Sequence, residues 1–203
     1  MEVTNEMTDK NVFIDKVDQI LNGESNYFVN TCEQLNKCIG HIYQLICDAY
    51  TLYINDAYTS SVFLSIAVIE EVGKVHMGMY INASELYVKK DRLRDHKTKE
   101  IAGTSYTICK GERINKAISP EKIDEIFQLA YSGKLKELRE QAIYCECRDG
   151  NIVVPNDIIN QEFSKNILLF AIESFDDNLV GYTSYSMEIS KKTDFIFAEV
   201  TKQ

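Results

Sequence analysis

The sequence predicts an all-α fold, a bundle of long antiparallel helices with one small β-hairpin inserted near residues 142–154. Three observations predict it. Only 2 prolines and 9 glycines interrupt 203 residues, and so few breakers leave room for long helices. Apolar residues recur at three- and four-residue spacing over most of the chain, the period of a helix with one buried face. The exception is a pair of short β-prone runs around Asp149-Gly150, a dipeptide suited to a tight hairpin turn.

Taken in order, Val12, Phe13, Val17, Ile20 and Leu21 mark an amphipathic helix over 11–21, which Gly23 ends. A long helix follows over about 27–55, with Leu35, Cys38/Ile39, Ile42, Leu45/Ile46, Ala49 and Leu52/Tyr53 on one stripe. Asp56 is read as the cap of the next helix, which runs to about residue 87. Its first half, AYTSSVFLSIAVIEEVGK, is apolar on nearly every side, as a central helix is. A charged stretch over 88–99 leads into a polar helix reaching about 116. Ser119-Pro120-Glu121 spells a helix start, with Ser at the cap, Pro in the first position and an acid in the first turn. A short helix over 134–141 follows Gly133, then the hairpin, then a helix from Pro155 to about Phe175 and a last one over 179–200. The expected organisation is one helical domain over 1–203. It has an N-terminal helical extension (1–24), the hairpin (142–154) and a C-terminal helix (177–203). A lone hairpin is marginally stable, so this one is expected to lie on the bundle or on a partner.

At 45% hydrophobic residues the chain is too apolar to be disordered. A net charge of -9 argues against a general nucleic-acid coat while leaving room for a local basic site. Met1 to Lys10 is polar, unlike a secretory leader, and the most apolar run, Val62 to Ile69, is far short of the ~20 residues of a membrane span. These features give the expectation of a cytoplasmic protein without membrane contact. The six cysteines (32, 38, 47, 109, 145 and 147) show no C-x-x-C spacing and read as buried, reduced thiols.

Two features carry chemistry. The first is Glu70-Glu71-Val72-Gly73-Lys74 inside the most apolar helix. Charged groups there need partners, and Glu70 and Lys74 stand at i,i+4 in the favourable order. Glu70, Glu71 and Lys74 either form a structural ion pair where the helix meets solvent or line a polar cleft. Gly73, mid-helix, implies the close approach of another helix. The second is a cationic cluster, Lys89, Lys90, Arg92, Arg94, Lys97 and Lys99, around His96. It is the candidate phosphate-binding site of an otherwise acidic chain, or else a solvated face. Arg92 and His96 share a face if the stretch is helical. An Arg–His pair can cleave RNA without metal, the imidazole moving protons and the guanidinium holding the phosphate. His41 and His76 have weaker claims. Glu-x-x-His, phosphate-loop and other common catalytic signatures do not occur. No cofactor and no metal site is expected.

AVIEEVGKV (67–75), RDHKTK (94–99) and LREQAIYCECRDGNIVVP (138–155) resemble, in order, segments of the AbiV family of abortive-infection proteins. The resemblance implies a HEPN-like fold of about four principal helices, often a homodimer. It implies a role in blocking phage multiplication, and a restraint released by a trigger such as a phage-encoded protein. Many HEPN proteins are metal-independent ribonucleases with Arg-x(4–6)-His. Here Arg92 stands at x3 and Arg94 at x1, while Asp91 and Lys90 occupy the x4 and x5 positions, so that spacing is not met. Two readings stay open. In one, the chain cleaves RNA or otherwise inhibits translation, with His96 as acid–base, Arg92 or Lys90 on the phosphate, and Lys89, Arg94, Lys97 and Lys99 guiding the strand. In the other it is a non-catalytic binding protein docking on RNA, on the translation machinery or on another protein.

Overall fold

The computed structural model describes residues 18–19, 22–84, 87–89, 91–105 and 112–203. Among these are nine α-helices and two small strand pairs, an all-α HEPN-like bundle. Four helices of 19 to 23 residues make the frame: α1 (Cys32–Ile54), α2 (Tyr58–Gly78), α8 (Gln161–Leu179) and α9 (Ser184–Lys202). Between α2 and α8 run α3 (His96–Thr104), α4 (Glu112–Ala117), α5 (Pro120–Ser132), α6 (Lys134–Gln141) and the one-turn α7 (Pro155–Ile158).

The sequence explains most of these limits. In α1 the buried set Leu35, Ile39, Ile42, Ile46, Ala49 and Tyr53 steps by three and four residues, one stripe over about five turns. Thr31 starts the helix by accepting a hydrogen bond from the Gln34 amide at 3.2 Å. Helix α2 lies in the centre, packed by α1, α3, α6 and α8, which is why it is apolar all round. It packs on α8, whose Ile167, Leu168, Phe170, Ala171 and Phe175 belong to the same buried core. Arg113 ties α4 to α8 and α9 by bonding Glu173 and Asp194, with its guanidinium 4.5 Å from the Phe197 ring centroid.

Several expectations need correction. Asp56 does not cap α2. It sits at φ 60° in the turn, its carboxylate takes the Tyr58 hydroxyl, and Ala57 holds the cap position. Helix α2 stops at Gly78 rather than near 87, because the chain turns back so that β2 (Asn82–Ala83) pairs in parallel with β1 (Glu24–Ser25). Ser119 does hold the cap position of α5, with Pro120 next, but its side chain makes no capping bond. The cysteines are not buried: Cys32, Cys145 and Cys147 are exposed and Cys38 and Cys47 half-buried, all as free thiols, while Cys109 lies outside the described residues. The helix expected over 11–21 also falls largely outside them.

Gly133, at φ 81°, separates α5 from α6 as expected of a glycine in the left-handed region. The hairpin forms from β3 (Glu146–Arg148) and β4 (Asn151–Val153), antiparallel. Asp149 and Gly150 take φ 50° and 81° at its tip, the two positive angles of a two-residue turn that matches strand twist. Among the described residues no helix is long and apolar enough to cross a membrane.

Candidate functional site

Gly73 decides where the polar groups of α2 meet the rest of the chain. A Cβ on it would lie 2.1 Å from the carbonyl oxygen of Lys99 and 2.5 Å from the amide nitrogen of Gly103. A Cβ on Gly103 would lie 2.1 Å from the carbonyl oxygen of Ile69. The backbones of α2 and α3 therefore touch through two glycines, the close approach that a mid-helix glycine implies. Asp95 fixes the start of α3 by accepting from the Thr98 amide at 2.8 Å. With start and spacing set, His96, Lys99 and Glu100 face the carboxylate of Glu70.

Glu70, 4% exposed at its side chain, is the hub. One oxygen takes His96 Nδ1 at 2.8 Å and Lys99 Nζ at 3.1 Å, and the other takes Arg139 Nη1 from α6 at 2.6 Å. This is how a carboxylate survives burial, with three donors around it. A carboxylate facing Nδ1 places the neutral imidazole's proton there and leaves Nε2 as the free basic nitrogen. Arg139 Nη1 also lies 3.4 Å from His96 Nδ1. Both atoms then carry protons, so their proximity follows from the shared acceptor and is not a bond between them. The His96 side chain is 36% exposed.

Glu100 lies under the hub, fully buried. Burial first, then the charge of Glu70, pushes its carboxyl up to about 8, with Arg139 opposing the rise. At neutral pH it is therefore protonated and uncharged. With Glu100 uncharged, Glu70 and the nearby Asp95 stand against Lys99 and Arg139, which sets two cations beside an imidazole. That combination suits an anionic substrate and a proton transfer.

The remaining expected residues divide. Lys74 does not pair with Glu70. It meets both oxygens of Glu71 at 3.2 Å and lies 4.5 Å from the Tyr27 ring centroid. Adjacent residues on a helix point about 100° apart, so Glu70 turns to α3 while Glu71 and Lys74 form a separate half-exposed pair. Arg92 and Arg94 belong to a 3-10 turn (Arg92–Arg94) that ends before α3 begins, so Arg92 and His96 are not on one helix. Both arginines and Lys89 are exposed, Arg94 lying 5.7 Å from the Tyr87 ring. Lys97 is half-buried, its aliphatic stem beside Gly133. Lys90 lies outside the described residues. His41 is exposed, and His76 is buried edge-on to Tyr80. Sequence reasoning missed Arg139, the arginine that the fold brings to His96, and the buried Glu100. Among the described residues no group of three or more His, Cys, Asp or Glu is placed to hold a metal ion.

The family model for AbiV, of the HEPN type, matches residues 30–175. The chain belongs to the AbiV family. The matched span contains Glu70, His96, Lys99, Glu100 and Arg139, so the hub lies wholly within the part that is similar to AbiV proteins. The AbiV role is phage defence by abortive infection. No curated protein and no solved structure matches the chain.

Proposed function

We propose that this AbiV-family chain blocks phage multiplication by acting on RNA, with His96 as the proton-transfer group. The observation that carries the reading is the imidazole held at Nδ1 by a buried carboxylate and flanked by Lys99 and Arg139, in a chain of net charge -9. Nε2 of His96 would take the 2′-hydroxyl proton or return one to the leaving oxygen. Arg139 and Lys99 would hold the developing charge on the phosphate. Glu70 acts through His96 and is a positioning residue. In the same reading the protein works as a homodimer in the cytoplasm. Exposed apolar side chains on and beside the hairpin (Ile143, Tyr144, Ile152, Val154) support a face that another molecule covers.

RNA decay with purified protein tests this. His96→Ala is expected to lower cleavage by about 100-fold or more, and Arg139→Ala to cost more than Arg92→Ala. Cleavage by His96→Ala at the unaltered rate removes the assignment. The second reading, binding without catalysis, is favoured by the exposure of Lys89, Arg92 and Arg94. It predicts that His96→Ala keeps phage resistance while charge reversal of Arg92 and Arg94 loses it.

A further inference from the structure

Beside the hub lies a half-open cavity of about 380 Å³, within the range of roughly 300–1,000 Å³ that small-ligand sites occupy. Its walls are Asn26, Tyr27, Lys74, Asp91, Arg94 and Lys99, with Leu93 as an apolar patch. The hydrogen-bonding capacity of these walls is one-sided. Asp91 spends one oxygen on Ser25 Oγ and the Leu93 amide and the other on the Asn26 amide. The Asn26 side chain is committed to the Ser84 carbonyl and the Val88 amide, and the Tyr27 hydroxyl to Cys38. What remains is donors. Lys74 and Lys99 are steadied by Glu71 and Glu70, neither of which lines the cavity. The Arg94 guanidinium meets only the Tyr87 ring among the described residues.

A cavity with spent acceptors and three cations fits a ligand made of acceptors. A phosphate monoester carries about two negative charges and three strong acceptor oxygens, where an internal diester carries one charge. Phosphate alone is far smaller than the cavity, which leaves room for the sugar or base attached to it. Lys99 belongs to both the cavity and the hub, so a ligand seated here meets the hub at Lys99, while His96 does not line the cavity.

We infer that this cavity binds the terminal phosphate monoester of an RNA strand, held at the hub's Lys99. The inference rests on the RNA-directed reading for its ligand class and on separate residues for its site. The probes are one short oligoribonucleotide with a 5′-phosphate, with a 3′-phosphate, and with hydroxyls at both ends. They are titrated against the full chain carrying His96→Ala, so that no strand is cut. One phosphorylated form is expected to bind about tenfold tighter than the hydroxyl form, as charge-assisted hydrogen bonds allow. Adding Arg94→Ala should erase that preference without lowering the melting temperature, since Arg94 is exposed. Lys74→Met is the second variant and should shrink the preference too.

Equal affinity for all three strands overturns the inference, as does a preference that survives both Arg94→Ala and Lys74→Met. If the wild-type chain then still cleaves RNA through His96, the nuclease reading stands without this cavity. A phosphate preference in a chain that never cleaves leaves the cavity and removes the nuclease reading.

Discussion

Glu100 and Glu70 are neighbours in the core with opposite fates. Glu70 collects three donors, whereas neither oxygen of Glu100 receives a hydrogen bond. Burial and the adjacent charge raise the Glu100 carboxyl from 4.5 to about 8. Between those values the folded chain keeps a proton that the unfolded chain has released. Stability therefore falls as pH rises through that window, by at most about 1.4 kcal/mol per pH unit, and levels off above it. Glu100→Gln keeps the shape and removes the titration. Melting temperatures of the two proteins should draw apart in favour of the variant from about pH 5 to about pH 8, and a gap that stays constant would refute the buried-acid assignment. None of this was legible in the sequence, where Glu100 is one more charge in a charged run. Arg139 was equally hidden. It reaches His96 across 43 positions, and only helix packing, not local spacing, makes them neighbours. His96 itself stood out from the residues around it. Arg139 did not.

At the scale of the element, the contact between α2 and α3 is set by two glycines. Adding a methyl group at Gly73 would favour the isolated helix by about 1 kcal/mol. In the fold the new carbon meets two backbone atoms, Lys99 O and Gly103 N, which no rotamer change can move aside. Helix α3 must shift bodily, and with it His96 and Lys99. Gly73→Ala is expected to cost about 3 kcal/mol net and to loosen the Glu70–His96 bond. Gly40→Ala, on α1, is the contrast. Its carbon would meet the end of a mobile side chain, Tyr185 Oη, at 3.3 Å, so its urea midpoint should stay close to that of the wild type. Equal midpoints for the two variants would mean that the helices are not in backbone contact. Glycine 73 was readable as a packing position because a glycine inside an apolar helix needs a reason. Which helix approaches was not readable. The sequence runs its charged stretch into a continuous polar helix, while the chain instead makes a 3-10 turn and restarts at Asp95.

For the molecule as a whole, the four long helices and the hairpin follow from periodicity and from Asp149-Gly150, because both signals are local. The distribution of charge is not local. The cationic run over 89–99 does not present one basic face. Lys99 turns inward to Glu70, Asp91 is buried, and Lys89, Arg92 and Arg94 remain outside. With so few outward cations in one place among the described residues, a chain of net charge -9 cannot track a polyanion over a long path. If RNA is the target, binding engages about three phosphates. The logarithm of affinity should then fall with the logarithm of salt at a slope of about −2, each single-strand contact adding about −0.7. Removing the exposed Arg94 guanidinium should shallow that slope by about 0.7. Affinities of uncut RNA, measured at a series of salt concentrations with His96→Ala and with His96→Ala/Arg94→Ala, check both figures. A slope near −5 would require a cationic track absent from the described surface, and would move the RNA contact onto a composite face built from more than one chain.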